Sequence, residues 1–221
     1  MLCQKTSSLS LSYPVLYVHI DVCCFLCYTI YYARLCEITI RDISIANCDD
    51  LATVGGNGIY LSSTGNKLTL ENLRLQGNQS NNIYIAKGRD ITIQQCSIAL
   101  IAVDIVIRLS VDVLGDPLQN IRIHSNYFTS SAAVSSSMIY VLRAGYFTLS
   151  DNHFNGLSLG TPFAGIQLQD ANYFTIIGNR FDDLAKFGVV VDHLGAPAVT
   201  GSTNGTIIGN SFTNCGTRGQ G

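Results

Sequence analysis

Phe174-Thr-Ile-Ile-Gly-Asn-Arg-Phe181 and Gly205-Thr-Ile-Ile-Gly-Asn-Ser-Phe212 are the same eight-residue phrase at all but two positions. Looser copies precede them: Ile38-Thr-Ile-Arg-Asp-Ile-Ser-Ile45, Leu68-Thr-Leu-Glu-Asn-Leu-Arg-Leu75, Ile91-Thr-Ile-Gln-Gln-Cys-Ser-Ile98, Ile121-Arg-Ile-His-Ser-Asn-Tyr-Phe128 and Phe147-Thr-Leu-Ser-Asp-Asn-His-Phe154. Their sixth positions fall at residues 43, 73, 96, 126, 152, 179 and 210, in steps of 23 to 31 residues. A fixed unit at such spacing is the mark of a repeat architecture. Between copies lies a second alternating run: Gly58-Ile-Tyr-Leu61, Asn82-Ile-Tyr-Ile85, Asp104-Ile-Val-Ile107, Met138-Ile-Tyr-Val141, Gly165-Ile-Gln-Leu168 and Gly188-Val-Val-Val191.

Strict alternation makes each run a short strand with one buried side. Strands this short cannot bury that side alone, so successive coils must stack, each of at least two strands. Stacking at about 4.8 Å places like residues over like. Asn126, Asn152, Asn179 and Asn210 should then stand in one file, bonding up and down the stack. Phe128, Phe154, Phe181 and Phe212 should form an internal aromatic column. Cys96 takes the Asn position one coil earlier and reads as a small buried thiol. Leucine-rich repeats would interpose helices, and propeller blades would have longer periods. The expected architecture is all-β, a parallel solenoid of about seven coils over residues 35–216, followed by a tail at 217–221.

Composition agrees. Among 221 residues only 13 % are charged, with a net charge of -2, and there is no basic stripe to hold nucleic acid. Residues 1–34 differ in texture, being apolar and Cys-rich, and read as a cap, an extra coil or a segment foreign to the domain. A membrane span is disfavoured because His19 and Asp21 interrupt the apolar run, and Val22 to Ala33 is too short to cross. Cys23-Cys24-Phe-Leu-Cys27 has no second cluster at ligand spacing, so no metal ligands are assigned.

The repeated I-x-I-x-x-N-x-F phrase, as at 121–128 and 174–181, resembles the pectate-lyase-like superfamily of right-handed parallel β-helices, over residues 37–216. That superfamily includes pectate lyases, polygalacturonases, tailspikes and adhesins, most of which handle acidic or complex polysaccharides. The resemblance implies a right-handed helix, a polysaccharide partner and a place outside the cell or on a cell or virion surface. It leaves calcium open as a cofactor. The Asn-Thr-Asp, Gly-His-Gly and Arg-Ile-Lys elements of polygalacturonases are absent, so Asp182-Asp183 inherits no catalytic role, and no pectate-lyase calcium cluster is visible. Lyase or glycoside hydrolase activity is the first expectation, and a non-catalytic shaft or adhesin the alternative.

The repeat also locates outward columns. The second strand presents Tyr60, Tyr84, Val106, Tyr140, Gln167 and Val190 at one position, the tyrosines being candidates for stacking on sugars. The next column is Ser62, Ala86, Arg108, Leu142, Gln169 and Asp192, with Arg108 and Gln169 as further binding candidates. In the turn that follows, Arg143, Asp170 and His193 fall on successive coils. With Asp192 they form the candidate catalytic set: Asp170 and Asp192 as paired carboxylates of a hydrolase, or Arg143 neutralising a uronate while His193 serves as base. Two insertions, from Arg108 to Gln119 and from Asp192 to Asn204, should wall this region with Asp112, Asp116 and Pro197. The first strand's outward column, Arg41, Glu71, Gln94, His124, Ser150, Ile177 and Ile208, turns apolar late, so a loop, a further domain or a second copy of the chain is expected to cover it or the open ends. Asn78-Gln-Ser80 and Asn204-Gly-Thr206 are glycosylation sequons.

Overall fold

The computed structural model describes residues 15–18, 28–30, 37–46, 57–61, 67–78, 80–100, 107–110, 118–130, 137–156, 164–192 and 201–216. Every strand pairing among them is parallel, and the strands form three sheets, of eight, seven and seven strands. The eight-residue phrase supplies two of the sheets. Its first half lies in the first sheet, as in Asn172–Ile177, and its last residues lie in the second, as in Arg180–Asp182. The intervening run, as in Ala164–Gln169, builds the third. The sequence pattern required at least two strands per coil, and the structure has three, because the phrase bends in its middle.

That bend has a local cause. The fifth position of every copy adopts the left-handed conformation: Asp42, Asn72, Gln95, Ser125 and Asp151 have φ of 50° to 60°, and Gly178 and Gly209 have 67° and 66°. These are mostly residues that tolerate this region. The sixth residue is thereby turned inward. The Asn152 side-chain oxygen accepts the Asn126 backbone N–H and its amide at 3.0 Å each, and the Asn152 amide donates to the Ile123 carbonyl at 2.8 Å. Asn179 repeats the arrangement below Asn152, and Asn210 below Asn179. Asn126 also accepts the Cys96 N–H at 2.9 Å, so Cys96 tops the file.

The interior is filled by the alternate apolar positions, including Ile38, Leu68, Ile91, Ile121, Phe147 and Ile176, all buried. Each such side chain contributes about 1.5–3 kcal/mol by leaving water. The aromatic column runs through Phe128, Phe154, Phe181 and Phe212, with centroids 4.8, 4.8 and 4.9 Å apart and planes within 10°. Within residues 1–34, Val15–Val18 pairs with Glu37–Arg41 and Tyr28–Ile30 with Ile59–Leu61, so two strands there join the first and third sheets. The Cys23 to Cys27 cluster lies outside the described residues. No helix among the described residues is long and apolar enough to cross a membrane. At the last rung Ile207, Ile208 and Phe212 are about half exposed.

Candidate binding face and rim

The third sheet carries the outward column on which the site is built, but its register differs from the sequence expectation in one rung. Arg108, not Val106, pairs with Tyr84 on one side and Tyr140 on the other. The strand is Ile107–Ser110, and its register lies two residues on from that of the run Asp104 to Ile107, with Ile107 in the place expected of Ile105. Alternation cannot detect this, since a two-residue slip returns every side chain to the same face. The corrected column reads Tyr60, Tyr84, Arg108, Tyr140, Gln167 and Val190. Ser110 replaces Arg108 in the next column, beside Leu142, Gln169 and Asp192. The first insertion accordingly starts two residues later than expected. Its Asp112 and Asp116, and Pro197 of the second, lie outside the described residues, as do His193 and Ser62.

The shift has chemical consequences. The Arg108 guanidinium lies over two tyrosine rings, 5.5 Å from the Tyr84 centroid and 5.9 Å from that of Tyr140. Such contacts contribute about 0.5–2 kcal/mol each, more when water is excluded. Its Nε is buried without a hydrogen-bond partner among the described residues, and no carboxylate pairs with it there. Tyr60 continues the column, with its ring 5.1 Å from that of Tyr84 and tilted by 57°. Tyr60, Tyr84 and Tyr140 are half-buried rather than exposed. The Tyr140 hydroxyl donates to Gln169 Oε1 at 2.6 Å, and Ser137 donates to Gln167 at 3.0 Å. Burial raises the Tyr140 hydroxyl pKa above its ordinary value; Arg108 opposes this and Asp170 reinforces it.

Where the third sheet turns into the first, Arg143 and Asp170 stack on successive rungs. Both are left-handed, with φ of 58° and 54°, and each follows a paired residue of the column Leu142–Gln169. Asp170 is 5 % exposed, and neither of its carboxylate oxygens has a hydrogen-bond partner among the described residues. Asp192 lies one rung on, paired with Gln169, and is exposed. Its carbonyl accepts the Asp170 N–H at 3.4 Å. Geometry thus joins Arg143, Asp170 and Asp192 at one corner and separates the two carboxyl groups by environment. Among the described residues no three His, Cys, Asp or Glu side chains converge as a metal-ligand set.

Three residues past Arg143 and Asp170 stand two tyrosines that the outward columns did not include. Tyr146 and Tyr173 are 61 % and 53 % exposed, with centroids 5.0 Å apart and planes within 7°. Both are left-handed, at φ 53° and 55°. Register puts Asp90, Asn120 and Asn204 at the same place on other rungs, with the same backbone conformation. The position therefore suits Asn or Asp. For a bulky residue it costs about 1–2 kcal/mol, twice over, against about 0.5–1.5 kcal/mol from one aromatic pair. The sequence signal was the recurrence of Tyr-Phe-Thr at 146–148 and 173–175, just ahead of the phrase.

A separate charged group lies on the second sheet. His153 Nε2 donates to Asp182 Oδ2 at 2.7 Å, and Arg180 Nε reaches the same oxygen at 2.6 Å. The Tyr127 ring meets the His153 ring edge-on at 5.0 Å. Burial would push the Asp182 pKa up, but the hydrogen bonds from His153 and Arg180 outweigh it and hold the carboxyl below its ordinary value. The first sheet's column from Arg41 to Ile208 has the expected register, and Ile177 and Ile208 are exposed in it. Of the sequons, Asn78 is 2 % exposed and donates to Asn82 Oδ1 at 2.6 Å, which leaves no room for a glycan, whereas Asn204 is exposed.

Compared with known families, residues 28–221 match the one described as right handed beta helix region. No curated protein and no solved structure matches the chain.

Proposed function

From the premise that the chain belongs to the right-handed β-helix family, we propose that its third sheet binds an acidic polysaccharide. The single observation that carries this reading is Arg108, a cation held between Tyr84 and Tyr140 without a carboxylate partner among the described residues. A guanidinium fixed in this way presents its fork to a uronate carboxylate with little ordering cost. The flanking phenols and the Gln167 and Gln169 amides offer hydrogen bonds to sugar hydroxyls. Rigid strands hold these groups in line. The resemblance to the pectate-lyase-like superfamily supports the same substrate class, and a place outside the cell goes with it.

Calorimetric titration with polygalacturonate tests this reading. We expect binding that weakens as salt rises and falls at least tenfold in Arg108→Gln. No binding to polygalacturonate or alginate, or unchanged affinity in that variant, would reject it.

A second reading, that the bound chain is also cut, draws on Asp170 and Asp192. One carboxyl is buried and the other exposed on adjacent rungs, so two carboxyl groups in different surroundings lie at the same corner. Arg143 and His193 would complete the set in a uronate-eliminating version. Absorbance of unsaturated products and release of reducing ends report the two chemistries. Turnover that survives Asp170→Asn, Asp192→Asn and His193→Ala combined would exclude this corner. Glycan binding without turnover would leave a shaft or adhesin role.

A further inference from the structure

We infer that Tyr146 and Tyr173 form a sugar-stacking subsite on the same polysaccharide path; this rests on the acidic-polysaccharide reading of the third sheet. Both rings are mostly exposed and nearly coplanar in orientation, so folding does not use them to fill the core. They occupy a left-handed position that three other rungs fill with Asp90, Asn120 and Asn204. Bulky side chains held in that region without a stabilising reason point to a functional one. The flanking Asn120 and Asn204 side chains are shorter than a tyrosine, and their amides donate to Asp90 and to Thr203 Oγ1. Gly145 next to Tyr146 has open space where a side chain would project, which leaves room for a ligand.

Position ties the pair to the rim. Each tyrosine follows Arg143 or Asp170 by three residues on its own rung, so the pair continues the face around the corner from the third sheet to the first. The pair itself carries no charge. Its ligand is therefore the apolar face of a pyranose ring, while Arg108 and Arg143 take the carboxylates. A chain long enough to reach both places should bind more tightly than a short one.

The test uses the full chain, with polygalacturonate and a galacturonate trimer as probes. The double variant Tyr146→Asn/Tyr173→Asn installs the residue used on neighbouring rungs. We expect at least tenfold weaker binding of the polymer, with a thermal midpoint unchanged or raised, and smaller loss for the trimer. Tyr146→Phe/Tyr173→Phe should keep the affinity, since stacking needs the ring and not the hydroxyl. Unchanged affinity in the Asn variant, while Arg108→Gln weakens binding, would overturn the subsite and spare the reading of the third sheet. A lowered midpoint accompanying the lost affinity would mark the pair as structural and overturn the subsite as well. No polymer binding by the unaltered chain would overturn both.

Discussion

The Asn152 amide nitrogen lies 2.9 Å from Asn179 Oδ1, and the same oxygen accepts the Asn152 backbone N–H at 3.0 Å. One side chain thus satisfies two donors of the rung above, while its own amide donates to the Leu149 carbonyl at 2.9 Å. Removing Asn152 should strand the Asn126 backbone N–H and take one bond each from the Ile123 carbonyl and the Asn126 amide, which keeps its bond to the Ile93 carbonyl. A buried orphan costs about 1–3 kcal/mol. Asn152→Ala is therefore expected to destabilise by about 3 kcal/mol in urea unfolding. Asn210→Ala, at the half-buried end of the file, should cost less.

Cys96 gives the converse prediction. Burial pushes its thiol up to about 11, so it should resist alkylating reagents at pH 8 in the folded state and react only after unfolding. Its sulfur sits 3.9 Å from the Leu70 carbonyl, the place an asparagine amide would reach in this file. Cys96→Asn should lengthen the ladder by one rung and leave stability equal or raised by about 1 kcal/mol. Denaturation midpoints of the two forms decide it.

The Asn file and the Phe column were legible because stacking demands like over like, and the chain repeats those residues at the interval of a rung. The bend was less so, since Asp, Asn, Gln, Ser and Gly at the fifth position share a backbone conformation and not an appearance. The Arg108 register was hidden by the two-residue period, which fixes the face and not the place along it. His153 and Asp182 meet on adjacent rungs 29 residues apart, through outward positions whose residue types change from rung to rung, so no column of like residues pointed to the pair. Tyr146 and Tyr173 went unseen because they precede the phrase, outside both alternating runs.

Asp182 should make stability depend on acid. Its carboxyl titrates lower in the folded chain than in the unfolded one, where an aspartate has a pKa of about 3.9. The folded state therefore gains from the charged form above that value and loses the gain as pH falls through the lower folded value. The stability difference between the native chain and Asp182→Asn should be constant from pH 7 to about 5 and shrink on further acidification. A difference that grows in acid would contradict the arrangement with His153 and Arg180.

Two glycines separate packing from backbone effects. A Cβ on Gly165 would meet Phe181 Cδ1 at 2.8 Å and the Gly188 carbonyl at 2.9 Å, whereas one on Gly145 would meet nothing within 4 Å. Gly165→Ala is expected to cost about 1–3 kcal/mol by overpacking the aromatic column. Gly145→Ala should be neutral or stabilise by up to about 1 kcal/mol through the unfolded state. Thermal midpoints moving in the same downward direction for both would contradict this.

The crystal structure of the chain with a bound galacturonate oligosaccharide bears most directly on the function. A sugar carboxylate at the Arg108 guanidinium, with the glycan lying along the Tyr84 to Tyr140 column, is the predicted result. A glycan held instead against the second sheet, around His153 and Arg180, would contradict it.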